Sequence, residues 1–135
     1  SGDVKCWGSN GSGELGDGTT EDRLVATEVV GLPSVVTISR GSNTCAVLSS
    51  GGVKCWGRNA AGQLGDGTTE DRPTPTDVKG LTSVDAIATG WSHACAVLSS
   101  GDVKCWGVNI FGQLGDGTAD NHLTPIKVVE LNLLS

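Results

Sequence analysis

The residues of this chain that could carry chemistry are five cysteines and two histidines. Cys45 and Cys55 lie ten positions apart around the turn-forming segment Ser49-Ser50-Gly51, and Cys95 and Cys105 repeat the spacing. This spacing suits the two strands of a hairpin, in which directly opposite cysteines are close enough for a disulfide. We therefore predict the disulfides Cys45–Cys55 and Cys95–Cys105. The alternative is that all four are buried thiols, and a register shifted by one residue would separate each pair.

No catalytic residue, metal site or cofactor is predicted. Cys6 has no partner ten residues away, because that position would precede Ser1. A zinc site needs cysteine or histidine ligands at short spacings, and none occur here. His93 and His122 stand beside no nucleophile that is singled out from the rest of the sequence. We therefore expect a protein that is not an enzyme.

Two acidic segments, at residues 17–22 and 66–71, each hold several carboxylates and are each followed by an arginine. Calcium binding is one interpretation, but the segments lack the alternating aspartates of a calcium loop. An ion pair with Arg23 or Arg72 is simpler, and we expect it to fix the path of each loop. The third copy of the segment differs, because it has Asn121-His122 where the others have Asp-Arg.

Internal repeats show which elements must position these residues. The segment Lys-Cys-Trp-Gly-x-Asn begins at Lys5, Lys54 and Lys104, and each copy continues into Gly-x-Leu-Gly-Asp-Gly-Thr. A period of about 50 residues suits the blades of a β-propeller better than a helical solenoid. Short segments rich in β-branched residues predict four strands per repeat, and no window keeps a helical spacing. In the first complete repeat these strands are 35–39, 44–49, 53–57 and 74–78.

The repeats resemble those of the regulator-of-chromosome-condensation (RCC1) propellers. Residues 90–115 follow that family's Gly-x-x-His-x-Cys-Ala motif and its later Cys-Trp-Gly-x-Asn-x-x-Gly-Gln-Leu-Gly motif. The first copy departs from this pattern, since Glu14 replaces the glutamine and residues 41–45 are one residue shorter than 90–95. The resemblance implies an all-β fold of propeller blades, each with four antiparallel strands. It also implies an interaction platform, a role that in this family includes guanine-nucleotide exchange on a small GTPase and inhibition of β-lactamases.

The repeat boundaries predict about two and a half blades. Residues 1–34 would form an outer half-blade, 35–83 and 84–129 two full blades, and 130–135 an overhang toward a next blade. Propellers close with about four to eight blades, so a ring would need further blades. We expect these to come from a longer chain or from other copies arranged head to tail as a homo-oligomer.

Charge and hydropathy limit the classes of partner. The formal net charge is -6 and the sequence pI is about 4.6, which argues against binding nucleic acid or an anionic membrane surface. No apolar run approaches the ~20 residues that would span a bilayer, so membrane insertion is not expected. The predicted disulfides favour an extracellular or cell-surface location.

Differences between copies point to the residues that contact a partner. Glycines and the repeated tryptophans Trp7, Trp56 and Trp106, together with Leu64, are expected to be scaffold, with the large side chains filling space between blades. Bulky side chains that occur in one copy only are candidates for partner binding, and these are Arg58, Trp91, Ile110 and Phe111. The alternative is that the aromatic residues cover a blade edge.

The sequence as a whole predicts a non-enzymatic propeller segment that acts as a protein-binding scaffold. The first alternative is a self-assembling structural or surface segment, and the second is a guanine-nucleotide exchange factor for a small GTPase.

Overall fold

The computed structural model describes residues 3–128, and these residues form ten β-strands and no helix. The strands are β1 (Lys5–Gly8), β2 (Arg23–Glu28), β3 (Val35–Arg40), β4 (Asn43–Leu48), β5 (Val53–Gly57), β6 (Arg72–Asp77), β7 (Val84–Thr89), β8 (His93–Leu98), β9 (Val103–Gly107) and β10 (His122–Lys127). The predicted overhang, residues 130–135, lies outside the described residues. No helix long and apolar enough to cross a membrane occurs among residues 3–128.

The strands form three antiparallel sheets in which neighbours along the chain pair with each other. One sheet contains β1 and β2, the second has the order β3-β4-β5-β6, and the third has the order β10-β9-β8-β7. Each four-stranded sheet is a meander, because short turns join its first three strands and a long loop leads to the fourth. The predicted fold class, all-β with blades of four antiparallel strands, is confirmed.

The hairpin register brings the predicted cysteine pairs together. Cys45 is directly opposite Cys55, and Cys95 is directly opposite Cys105. The Cα atoms are 4.1 Å apart in each pair, and the sulfur atoms are bonded as disulfides. The shifted register is wrong, since Trp56 is opposite Thr44.

Cys6 on β1 is a buried free thiol. Burial raises the pKa of this thiol, and the positive charge of Arg40 offsets only part of the rise.

Two apolar clusters join the sheets face to face. Trp56 packs with Leu15 and Cys6 between the first and second sheets, while Trp106 packs with Leu64 and the second sheet's disulfide between the second and third. The prediction that Trp56 and Leu64 fill space between blades is confirmed, and both are fully buried.

The assignment of Trp7 to the same buried scaffold role is wrong, because this side chain is 58% exposed. The indoles of Trp56 and Trp106 are each covered by the long loop of the preceding repeat, and no preceding repeat exists among residues 3–128 to cover Trp7.

Candidate functional site

The four predicted partner-binding residues lie at one end of the blades. Arg58 directly follows β5, and Trp91 is in the turn between β7 and β8. The carbonyl of Ser92 accepts a hydrogen bond from Val108 N at 2.9 Å, which ties that turn to the start of the loop carrying Ile110 and Phe111. We call this surface the Trp91 end. It comprises the β3–β4 and β7–β8 turns and the long loops that follow β1, β5 and β9.

Two glycines hold the β3–β4 and β7–β8 turns side by side. A methyl group on Gly41 would collide with the carbonyl oxygen of Gly90, so the two backbones could not approach as they do. A methyl group on Gly90 would in turn lie 2.8 Å from Cε1 of the His93 ring. Just below, the hydroxyls of Ser39 and Thr89 are 2.9 Å apart and link β3 to β7. The relative position of the two turns is therefore set by backbone contact.

A cavity of about 450 Å³ opens between these turns. All three sheets contribute to its wall, through Glu14 from the loop after β1, Arg58 after β5, and Trp91. The indole of Trp91 is 87% exposed at its rim, and Arg58 is also exposed. The structure thus brings Arg58 and Trp91 together in one concave surface.

Ile110 and Phe111 do not line this cavity. They lie at the tip of the loop after β9, where both side chains are exposed, Phe111 to 87%. The tip is held from within, because the side-chain oxygen Oε1 of Gln113 accepts a hydrogen bond from Phe111 N at 2.9 Å. Gln63 makes the same bond to Ala61 N, and the carboxylate of Glu14 makes it to Ser12 N. The glutamate in the first copy therefore keeps the acceptor that the loop requires.

Each long loop is built around one buried asparagine. The side-chain amide of Asn59 donates to the carbonyls of Thr68 at 3.0 Å and Glu70 at 2.9 Å, and its oxygen accepts from Leu64 N at 2.9 Å. Asn10 and Asn109 make the same bonds in their own loops. Asparagine is common in turns, so the residue type alone does not show that these side chains are buried at the centre of the loops. The signal that was missed is the constant number of residues in the sequence between each asparagine and the Asp-Gly-Thr segment that it binds.

The acidic loops form internal ion pairs. Arg23 Nε is 2.8 Å from Asp17 Oδ2, and Arg72 Nε is 3.0 Å from Asp66 Oδ2. In the third copy His122 Nε2 takes this place, 2.8 Å from Asp116 Oδ2. The predicted pairing of acidic loop and arginine is confirmed. Across residues 3–128 there is no group of three or more metal-ligating side chains that could hold an ion.

Hydrogen bonds lower the pKa of the loop aspartates. Burial alone would raise the pKa of Asp17, but bonds from Thr19, Arg23 and Asn10 outweigh burial and hold the pKa at about 2. Burial is likewise outweighed at Asp116, whose pKa is also about 2. These carboxylates therefore serve as charged acceptors inside the loops, and this occupies the oxygens that a cation would need.

Comparison with known families and structures places the chain among repeat propellers. The family model described as "Regulator of chromosome condensation (RCC1) repeat" matches residues 1–48, 50–97 and 100–133, and a second model with the same description matches 84–113. No curated protein matches the sequence.

Three solved structures show the same fold. Prp20p from Saccharomyces cerevisiae is 21% identical with a TM-score of 0.83, and 93% of this chain covers 34% of that one. Human WBSCR16 is 24% identical with a TM-score of 0.81, and 93% of this chain covers 33% of it. Yeast RCC1 (Prp20) in a complex with Kap60 is 24% identical with a TM-score of 0.78, and 98% of this chain covers 32% of it. This chain spans about a third of the length of these relatives.

Proposed function

This chain belongs to the regulator-of-chromosome-condensation repeat family, and on that premise we propose that it is a non-enzymatic protein-binding scaffold whose contact surface is the Trp91 end. The observation that carries the proposal is the nearly complete exposure of Trp91 and Phe111 on loops whose backbones are held in place. Exposed aromatic side chains are frequent anchors in protein interfaces, and a fixed backbone lowers the entropy lost when they are buried.

Arg58 adds a charge to this surface. A guanidinium at the wall of the cavity pairs best with a carboxylate, which it binds through two parallel hydrogen bonds. We therefore expect a partner segment that places an apolar side chain against Trp91 and a carboxylate near Arg58.

The relatives support a protein as the class of partner. One yeast structure is described by its binding properties to Gsp1p and histones, and the other shows yeast RCC1 with Kap60 bound. Those partners belong to chains about three times as long as this one. What transfers to the present proposal is the kind of ligand, which is a folded protein or a segment of one.

Affinity capture with matched variants tests the scaffold. Extract of the source cells and their medium is passed over the immobilised chain, and captured proteins are quantified by mass spectrometry. A partner at the Trp91 end should lose about tenfold or more of its affinity for Trp91→Ala and for Phe111→Ala, because central aromatic anchors contribute about 2 kcal/mol each. The control is Val36→Ala, an exposed apolar residue on β3.

Equal capture by all four proteins would refute the proposed surface. Because Trp91 and Phe111 make little contact with the rest of the chain, their substitution should leave the unfolding midpoint unchanged. A loss of binding would therefore not be a loss of fold.

An extracellular or cell-surface location is part of the proposal, and it is supported by two disulfides in a chain with five cysteines. Protein isolated from its native source and alkylated under denaturing conditions at lysis should leave Cys45, Cys55, Cys95 and Cys105 unalkylated, as peptide mass spectrometry would show. Alkylation of these four cysteines would place the chain in a reducing compartment.

A further inference from the structure

The three buried asparagines of the long loops differ in the residue that follows them. Asn10 precedes Gly11, whereas Asn59 and Asn109 precede alanine and isoleucine. Asparagine is a chemically labile residue, and a glycine after it leaves the backbone free of a Cβ atom that would hinder attack on the side chain. The chain therefore holds one asparagine that is prone to lose its amide and two that occupy the same place but are better protected.

Loss of this amide needs no reagent other than water. The backbone nitrogen of Gly11 attacks Cγ of Asn10 and forms a cyclic imide. The proton of that nitrogen passes through solvent to the side-chain nitrogen, which leaves as ammonia. Water then opens the imide at either of its carbonyls, and the product is an aspartyl or a β-linked isoaspartyl residue. The net change consumes water, releases ammonia and replaces an uncharged amide with a carboxylate.

The folded loop opposes this reaction. The Asn10 side chain is fully buried, and its nitrogen donates to the carbonyls of Thr19 at 3.0 Å and Glu21 at 2.9 Å. Its oxygen accepts a hydrogen bond from Leu15 N at 2.8 Å. Closing the imide ring would break these bonds, and opening it needs water that the site excludes. The amide is therefore lost only when the loop opens.

The closed loop has no place for the product. Besides the two carbonyls, the Asn10 nitrogen faces the carboxylate of Asp17, whose Oδ1 is 3.3 Å away. A carboxylate in place of the amide would set oxygen against these acceptors. Burial raises the pKa of Asp17, but hydrogen bonds outweigh burial and hold the pKa at about 2, so this neighbour is charged at neutral pH. The isoaspartyl product also adds a carbon to the backbone of a turn closed by Gly13 N and the Asn10 carbonyl.

We propose that Asn10 is a deamidation site that is gated by folding. The amide is stable while the loop after β1 is closed, and it is lost while the loop is open, after which the loop cannot close in the same way. The effect reaches the next blade, because Leu15 of this loop packs with Trp56 of the second sheet. A chain that remains unfolded thus loses, irreversibly, the junction between its first two sheets. All partners of Asn10 lie within residues 10–22, so the site needs no other part of the protein.

Peptide mass spectrometry of the intact 135-residue chain tests the proposal, after incubation at mildly alkaline pH with and without denaturing guanidinium chloride. In denaturant, Asn10 should lose its amide about tenfold or more faster than Asn59 or Asn109, because only Asn10 is followed by a residue without a Cβ atom. Without denaturant, the loss at Asn10 should slow by about a hundredfold or more, since only the small open fraction reacts. Equal rates at Asn10 in the two conditions would overturn the proposal.

The repeats supply a matched pair of variants. Gly11→Ala reproduces the asparagine–alanine pair of the second copy. It should fold like the parent chain, because a methyl group on Gly11 would meet nothing within 4 Å and its backbone lies outside the left-handed region. Ala60→Gly makes the reverse change at an exposed residue. In denaturant, Gly11→Ala should protect Asn10, and Ala60→Gly should make Asn59 react as fast as Asn10 does in the parent chain.

Refolding after removal of the denaturant tests the consequence for the fold. The yield of refolded parent chain, followed by tryptophan fluorescence, should fall in step with the loss of the Asn10 amide, whereas Gly11→Ala treated alongside should keep its yield. Asn10→Asp, never exposed to denaturant, should have a lower unfolding midpoint than the parent chain or no folded state. A deamidated chain that refolds like the parent, or an Asn10→Asp variant with the parent's midpoint, would overturn the proposal. None of these measurements involves a partner, so their outcome is independent of the scaffold function proposed above.

Discussion

Replacing Asn59 with alanine should lower the free energy of unfolding of the chain by several kcal/mol, about 3 in all. The amide of Asn59 is fully buried and holds the loop after β5 at three backbone points. That loop also carries Leu64 and Gly65, which pack against Trp106 in the next blade. The substitution therefore acts on both a loop and a blade junction.

The expected cost follows from the partners that are left behind. Leu64 N is buried and would lose its acceptor, at about 1 to 3 kcal/mol. The carbonyls of Thr68 and Glu70 are only partly buried, so water can replace part of each lost hydrogen bond. The loss of each bond should therefore cost about 0.5 to 1 kcal/mol of stability. The total is about 3 kcal/mol. A domain of this size has about 5 to 15 kcal/mol of stability, so the loss is a large fraction of it.

Urea unfolding followed by tryptophan fluorescence measures the effect. Asn59→Asp keeps the acceptor for Leu64 N but points a carboxylate at Asp66, 3.1 Å from the Asn59 nitrogen, and should be as damaging at neutral pH. Asn121→Ala is the control, because it removes a single hydrogen bond to Asn109 N and should cost about 1 kcal/mol. If Asn59→Ala unfolds within 1 kcal/mol of the parent chain, the loop is not held as the structure indicates.

Three further predictions concern stability. Replacing Cys45 and Cys55 with alanine should lower the free energy of unfolding by about 3 kcal/mol, because the unfolded chain regains the entropy that a crosslink across ten residues removes. Urea unfolding would measure the change, and an unchanged midpoint would contradict this prediction. Because the pKa values of Asp17 and Asp116 are lowered to about 2, the stability they contribute should be complete above about pH 4 and be lost as the pH falls through 2; a thermal midpoint that is flat from pH 5 to pH 2 would refute this. His122→Arg should restore the ion pair of the other copies and raise the unfolding free energy at pH 7 by about 0 to 1 kcal/mol, whereas a measured decrease would show that the histidine is specifically required.

The fold could be predicted because the same sequence motif occurs three times in the chain. Repeated Lys-Cys-Trp-Gly-x-Asn segments fixed the period, and the β-branched segments between turns located the strands to within about two residues. The cysteine register was also accessible, since opposite positions in a hairpin depend only on the turn between the strands. Cys45 and Cys55 meet for that local reason.

The candidate surface could be predicted only in part. Differences between copies singled out Arg58 and Trp91, but nothing in the sequence shows that they share one cavity, because that depends on Gly41 packing against Gly90 across two blades.

The sequence by itself determined the class of fold and the approximate strand positions, and it favoured the disulfide register and the loop ion pairs, because each depends on residues near one another in the chain. The tertiary structure decided which repeated residues are covered. Trp7, Trp56 and Trp106 have the same local sequence, yet only the last two are buried. Burial in a repeat array is supplied by the neighbouring blade, so identical segments acquire different roles according to what packs beside them.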